Sequence, residues 1–401
     1  MRVLLIGSGA REHALAWRLT RDSSLTELHA APGNPGIAAL GSCHPIRAED
    51  GEGLLELTRT IDADLVVIGP EGPLVAGVGD ELRRNGVACF GPGKEAARIE
   101  GSKGFAKDVL AAAGVPAAQT LPVARPPCVI KADGLASGKG VFVCRTQAEL
   151  EAALRAVEAL GTGVVIEELL EGPELSVFAL CDGTRALPIG AARDYKRAED
   201  GDLGPNTGGM GAFSPVPNAD VEQLVREIHE PVLAELARRG SPFVGCLFAG
   251  LMLTSDGPRV LEFNARFGDP ETQVLLPLVE GELLAALAGA AGGDLGGLAL
   301  GRSPGAAVTV VLAGPDYPAR SDYAGAPIDG IAAAEAGGAL VFHGGTAMRD
   351  GRLVTNGGRI LSVTARGSDV AAARDAAYAA VSMVEFEGAR HRGDIAGTVD
   401  G

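Results

Sequence analysis

The chain has 401 residues, 46% hydrophobic and 21% charged, which excludes a disordered chain and leaves room for two to four domains with a large core. A formal charge of −16 with a pI of about 4.9 excludes a general nucleic-acid footprint, so any anionic substrate has to be captured by local Lys, Arg, backbone N–H groups or a metal. No apolar run approaches the ~20 residues of a membrane span, and the apolar start is too short for a signal peptide. The six cysteines are scattered without a Cys-x-x-Cys pair, so buried free thiols in a cytoplasmic protein are expected.

The first hundred residues alternate strand and helix. "RVLLIG" reads as a buried strand and "REHALAWRLTRD" as a helix with Ala14, Leu15 and Leu19 apolar. "ELHAAPG" and "DLVVIGPE" give two more strands, with a helix at "GLLELTRTID" between them, and a helix at 78–84 leads to a strand at "VACFG". This rhythm predicts a doubly wound parallel sheet with its functional loops at the carboxyl edge. The first turn, Gly7-x-Gly9-x-x-Glu12, departs from the dinucleotide fingerprint, because Glu12 stands where the third glycine belongs. It still offers N–H groups at a helix start, suited to a phosphate; a tight turn with no ligand is the alternative. Glu71, in the Pro/Gly-rich loop after the third strand, can accept hydrogen bonds from sugar hydroxyls or be an ordinary surface carboxylate.

"GSKGFAKDVLAAAG" reads as a helix opening a second region, followed by a strand at 128–132, the stretch "DGLASGKG", a strand at 141–144 and a helix near 148–160. The stretch is no P-loop: Gly134 and Gly138 enclose three residues instead of four, and Gly140 stands where Ser or Thr would hold magnesium. Its glycines allow an anion nest, and Lys131, sharing a strand face with Val129, is expected to point at a phosphate; a snorkelling lysine on an edge strand is the alternative. Strands follow at "GVVIEELL" and "ELSVFALC". The strand end carrying Glu167 and Glu168, with Glu174 six residues on, can offer backbone groups to a base and a carboxylate to a ribose; the alternative is an acidic surface loop.

Residues 194–217 read as a long polar loop without regular structure, a length that points to function, with disorder the alternative, and a helix is expected near 220–239. "FVGCLFAGLML" and "PRVLEFNA" form a hairpin around Ser255-Asp256-Gly257. Strand period two puts Glu262 and Asn264 on one face with Arg266 continuing it and Phe263 opposite: two hard oxygen ligands beside a cation. A polar face in solvent is the alternative, though Asp269 and Glu271 continue the cluster. An Ala/Gly-rich stretch at 285–301 reads as a helix end and a linker before a strand-rich C-terminal region.

Taken in order, "GSGAREHALAW", "GSKGFAKD", "IKADGLASGKGV", "VIEELLEG", "GPNTGGMGAFSP", "AGLM" and "LEFNARFGDPETQ" resemble the glycinamide ribonucleotide synthetase family of the ATP-grasp superfamily, nearly end to end. The resemblance implies an α/β protein with an N-terminal phosphoribosylamine domain at 1–100. An ATP-grasp domain at 101–304, with a small lid at about 116–172, and a C-terminal domain at 305–401 would follow, in a monomer. It implies an ATP-dependent carbon–nitrogen ligase of purine biosynthesis that takes glycine and 5-phosphoribosylamine, with Mg2+ or Mn2+. By the same resemblance Lys103 and Lys131 meet the nucleotide phosphates under a lid loop of Gly134, Ser137, Gly138, Lys139 and Gly140. Glu167, Glu168, Leu169 and Leu170 form the adenine hinge, and Glu174 takes the ribose. Glu262 and Asn264 hold the metal, Asn264 also facing the nucleotide, while Arg266, Lys131 and Asp269 serve catalysis. Gly9, Ala10, Arg11, Glu71, Asp194, Lys196, Asn206, Thr207, Gly208, Gly209 and Met210 bind the substrates. The chain departs from the family at Gly7-Ser8-Gly9-Ala10, for Gly-Asn-Gly-Gly, and at Asp194-Tyr195-Lys196-Arg197, for Asp-His-Lys-Arg. Segments 120–128 and 160–163 are short, which implies a reduced lid and weaker ATP binding.

Overall fold

A computed structural model describes residues 1–134 and 140–397. The N-terminal sheet runs in the order Ser42–Cys43, Glu27–Pro32, Arg2–Gly7, Leu65–Ile68, Cys89–Phe90, every pair parallel. Apolar residues fill the central strands because both faces are covered; Val3, Leu4, Leu5 and Ile6 are fully buried. From the first strand the chain turns to one side, and after the helix Gly51–Thr60 it returns to the other. This switch opens a crevice at the carboxyl end of Arg2–Gly7. Glu71 is not in a loop: it opens the helix Glu71–Ala76, which Pro73 permits by sitting in the first turn, where a missing N–H leaves no bond unmade. A helix at Lys94–Gly101, unexpected from the sequence, precedes Lys103–Ala113.

Three antiparallel strands, Val141–Cys144, Cys128–Asp133 and Gly163–Glu168, carry the helix Gln147–Leu160 on one face. Thr146 and Glu149 cap that helix reciprocally. This unit has a small core of its own, built from Cys128, Ile130, Ala132, Cys144, Leu150, Ala153 and Val157. The short segments belong to it: Leu121 N–H donates to Ile166 O at 2.8 Å, and Gly161, at φ 66°, ends the helix.

The largest sheet has eight strands, in the order Gly257–Asn264, Val244–Thr254, Glu174–Asp182, Ala186–Asp194, Gly211–Ser214, Ala306–Ala313, Arg359–Gly367, Leu340–His343. The expected hairpin is there, but the expected loop at 194–217 is not. Arg197–Glu199 pairs with Leu203–Asn206, and Gly211–Ser214 joins Ala186–Asp194 to Ala306–Ala313. Local apolar pattern could not show the last strand, since one of its two partners, Ala306–Ala313, is supplied from far along the chain. Through it the sheet is continuous into the C-terminal region. The helix expected at 220–239 is present as Val221–Leu224, a π turn at Val225–His229, and Glu230–Arg238. Pro231 has no N–H to give the preceding turn, and the wider π turn accommodates it. Among the described residues no helix is long and apolar enough to cross a membrane.

Candidate active site

The site is assembled where the carboxyl edge of the parallel sheet meets the hairpin end at Asn264 and the small three-stranded unit. Lys103 starts its helix behind the Ser102 N-cap, whose hydroxyl accepts from Phe105 N–H at 3.2 Å. Asp133 accepts the N–H groups of Lys103 and Gly104 at 2.7 and 3.4 Å, and the Lys103 ammonium donates to Gly134 O at 3.0 Å. Burial lowers the Lys103 pKa against the pull of Glu262.

Lys131 is 5% exposed and faces away from Ile130, as strand alternation requires. It does not stand open toward a phosphate: it pairs with Glu167 at 2.6 Å and donates to Leu261 O at 2.8 Å. Lys107 takes the other Glu167 oxygen at 2.5 Å, its own pKa lowered by burial. The Glu167 side chain therefore belongs to a buried two-lysine cluster. Glu168 accepts from Gln119 N–H at 2.8 Å and, with Leu169 and Leu170, lines a cleft of about 460 Å3 that reaches the hairpin tip at Thr254, Ser255 and Asp256.

Glu262 and Asn264 are half-buried on one strand face, while Phe263 is buried on the other, as the alternation predicts. Neither polar side chain has a protein hydrogen bond or ion pair among the described residues. Arg266 continues the face but is held by two carboxylates, Glu71 at 3.2 Å and Glu100 at 3.4 Å. Arg11 lies 3.9 Å from Glu71 and pairs with Glu12 at 2.6 Å. Burial pushes Glu71 up, but Arg266 and Arg11 outweigh it and hold the carboxyl at about 2. Burial raises Glu100 in spite of Arg266.

Asp269 accepts from Arg359 at 2.9 Å and from Gln273 at 2.7 Å. Arg359 also donates to Asp269 O at 2.8 Å and to the carbonyls of Gly208 and Gly209 at 2.5 and 3.3 Å. Gly209 has to be glycine: at φ 109° a Cβ would stand 2.4 Å from Pro270. Gly9, Ala10, Asp269 and Arg359 line a second cleft, of about 290 Å3, with Tyr317 and Ser321 opposite.

Lys196 pairs with Glu174, so the carboxylate expected at a ribose has a lysine on it here. Burial disfavours the Lys196 charge, but Glu174, Asp194 and Glu262 outweigh it and raise the pKa well above normal. Lys196 O accepts from both the N–H and the hydroxyl of Thr207, at 2.7 and 2.9 Å, and the Thr207 hydroxyl accepts from Gly209 N–H at 2.9 Å. Met210 is buried, and Asn206 donates to Val141 O at 3.4 Å, tying this loop to the small unit. Gly140 lies at the edge of that unit, its carbonyl accepting from Ala132 N–H at 2.8 Å; Ser137, Gly138 and Lys139 lie outside the described residues.

Three family models match in chain order: the phosphoribosylglycinamide synthetase N domain at 1–100, the ATP-grasp (A) domain at 101–272 and the C domain at 307–398. The chain belongs to the phosphoribosylglycinamide synthetase family. Among curated relatives, the phosphoribosylamine–glycine ligase of Streptomyces coelicolor is 50% identical over 100% of both chains, and that of Rhizobium meliloti 49% over 98% of both. The crystal structure of the Thermotoga maritima phosphoribosylamine–glycine ligase superposes with a TM-score of 0.84 at 35% identity, covering 98% of this chain and 100% of the other. A biotin carboxylase domain from Hydrogenobacter thermophilus (TM-score 0.69, 17% identity, 97% and 91% covered) shares the fold.

Sequence reasoning missed several members of this phosphoribosylglycinamide synthetase site. Lys107 was within reach, since it follows Lys103 by four residues and shares its helix face. Glu100 and Gln273 gave no local signal. Arg359, in "NGGRILSV", stands at the head of an apolar strand after two glycines, a visible mark whose target 90 residues earlier was not.

Proposed function

We infer that this chain joins glycine to 5-phosphoribosylamine with ATP, giving glycinamide ribonucleotide, ADP and phosphate through glycyl phosphate. The observation that carries the reading is Glu262 and Asn264, two hard oxygens on one strand face without a protein hydrogen bond or ion pair among the described residues, with the Glu262 charge near enough to Lys103 and Lys196 to oppose the effect of burial on both ammonium groups. End-to-end likeness to the named ligases supplies the substrates.

ATP-grasp chemistry implies a divalent metal. A carboxylate and an amide oxygen without protein partners suit Mg2+, which keeps waters and phosphate oxygens for its other positions; Mn2+ would use the same pair. Glu262 and Asn264 would hold it, and it would neutralise charge on the phosphates. The glycine carboxylate attacks the γ-phosphorus and ADP leaves; the phosphoribosylamine nitrogen then attacks the glycyl carbonyl, expelling phosphate and losing a proton. No enzyme nucleophile is required. Arg266, anchored by Glu71 and Glu100, is a fixed cation beside the reacting groups. Lys103 and Lys131 meet the nucleotide phosphates, Lys131 exchanging Glu167 for them while Lys107 keeps that carboxylate paired. The adenine lies against Leu169 and Leu170, with Gly134 and Gly140 bounding the loop that closes over the phosphates. The turn at Gly9, Ala10 and Arg11, with Glu71, Asp194 and Lys196 and the loop from Asn206 through Thr207, Gly208 and Gly209 to Met210, orients phosphoribosylamine and glycine. Asp269, fixed by Arg359 and Gln273, faces that pocket.

The test is ADP release with glycine and phosphoribosylamine supplied together and omitted in turn. Release should need both, with Mg2+. Equal release when bicarbonate replaces glycine would assign the chain to a carboxylase chemistry instead.

A further inference from the structure

Tyr195 lies between Asp194 and Lys196, and the structure gives it a partner that the sequence does not foretell. Asp194 and Lys196 flank it in an extended segment, so its side chain leaves on the opposite face from theirs. Its backbone extends the sheet: Tyr195 N–H donates to Gly211 O at 2.9 Å, and Tyr195 O accepts from Met210 N–H at 2.8 Å. Its side chain reaches the last described segment of the chain. The Tyr195 hydroxyl accepts from Ala396 N–H at 2.9 Å, and the Arg392 guanidinium lies 4.9 Å from the ring centroid. Arg392, its side chain 1% exposed, pairs with Asp202 at 2.9 Å and Asp394 at 2.6 Å and donates to Arg197 O at 3.1 Å. Asp200 accepts from Gly393 N–H, and Asp394 from Gly201 N–H, both at 2.8 Å. Both ends of the hairpin that follows Lys196 are thus gripped by the C-terminal segment, and Tyr195 is the link from that grip to the strand end.

We propose that Tyr195 is a positioning residue: the segment around Arg392 and Ala396 acts through it to fix Asp194 and Lys196, and with them the loop at Thr207 and Gly209, for phosphoribosylamine. This rests on the reading that Lys196 and its neighbours bind that substrate. The coupling is short. Lys196 O holds Thr207 by two hydrogen bonds, and Thr207 holds Gly209, so a strand end free to rotate carries the loop with it. Glu174, the Lys196 partner, begins a different strand and needs nothing from Tyr195. Disturbance of Tyr195 should therefore be felt by the substrate on the loop side and not by ATP.

The experiment measures steady-state constants for Tyr195→Phe, which removes only the hydroxyl, Tyr195→Leu, which also removes the ring under Arg392, and Lys196→Ala. The KM for phosphoribosylamine should rise about 3-fold in Tyr195→Phe and about 10-fold or more in Tyr195→Leu, roughly the loss of one hydrogen bond and then of the cation–ring contact as well. The kcat and the KM for ATP should stay within 2-fold. A role in stability alone would lower the melting temperature and the active fraction but leave the KM for phosphoribosylamine unmoved. Unmoved KM in both Tyr195 variants, with Lys196→Ala raising it, would overturn the positioning role and leave the site intact. Unmoved KM in Lys196→Ala would overturn the site reading, and the positioning role with it.

Discussion

Glu167 and Lys107 make a quantitative test of what holds the small three-stranded unit to the rest of the chain. Glu167 is 2% exposed and lies between Lys131 at 2.6 Å and Lys107 at 2.5 Å. The cluster carries one negative and two positive charges, so its two halves respond differently to loss. Glu167→Gln leaves two ammonium groups facing each other in a buried place, and breaking a buried pair costs about 3–5 kcal/mol. Lys107→Met leaves the Glu167–Lys131 pair intact and replaces a partly exposed lysine by an apolar chain, a change of about 1 kcal/mol or less. The core of this unit is small enough for that difference to decide whether it stays closed. Amide hydrogen exchange reads the opening directly. In Glu167→Gln, exchange along Cys128–Asp133 and Gly163–Glu168 should speed up by more than ~100-fold, the equivalent of about 3 kcal/mol. In Lys107→Met it should change by less than ~10-fold. Adding Lys107→Met to Glu167→Gln should recover part of the protection, because one of the stranded charges is gone. Equal acceleration in the two single variants would refute the argument, since it would mean that packing of the long side chains, not the unbalanced charge, sets the stability of this unit.

Glu262→Gln is the opposite case: among the described residues no hydrogen bond or ion pair is lost with the carboxylate, so stability should hold within about 0.5 kcal/mol while turnover falls by more than ~100-fold, roughly 2.7 kcal/mol of barrier, measured as ADP release beside a urea titration. His229 is fully buried, one ring nitrogen facing Leu247 O at 3.2 Å, and burial lowers its pKa to about 4. The unfolded chain therefore takes up a proton near pH 6.5 that the folded one refuses. The resulting stability is complete above that pH and is lost as pH falls toward 4, by about 1.4 kcal/mol per unit. Urea midpoints from pH 7 to 4.5 should fall less steeply in His229→Gln than in the parent; parallel curves would refute the assignment.

Much of the site was legible because strand alternation is a strict rule. Glu262, Asn264 and Phe263 lie on the faces that a period of two gives them, and Lys131 turns away from Ile130 for the same reason. What alternation cannot say is what a side chain meets. Lys131 was expected at a phosphate because an unpaired buried lysine is costly, yet that cost is met by Glu167, which stands beside it on the neighbouring strand but lies 36 positions on in sequence. Arg266 was rightly placed at the end of the Glu262 face, but its two carboxylates come from Glu71 and Glu100, on helices that the sequence pattern had left as a loop and as nothing at all. The polar stretch at 194–217 concealed a hairpin and a sheet strand for a related reason: "GAFS" carries too few residues to announce a strand, and it becomes one because Ala306–Ala313 is there to receive it.

That last strand has a consequence for how the molecule is made. Gly211–Ser214 leaves the ribosome long before Ala306–Ala313, the neighbour that completes its hydrogen bonds on one side. Until then the half-built sheet presents a raw edge at its centre, with Phe213 and Ala212, both fully buried in the finished protein, open to water. Synthesis from the N-terminus can settle the parallel sheet at once, but the central sheet has to wait for residues nearly a hundred positions downstream before its edge is closed. The interval between the two is the time during which a nascent chain is most exposed to the wrong partner, and it is fixed by topology, not by the strength of any single contact.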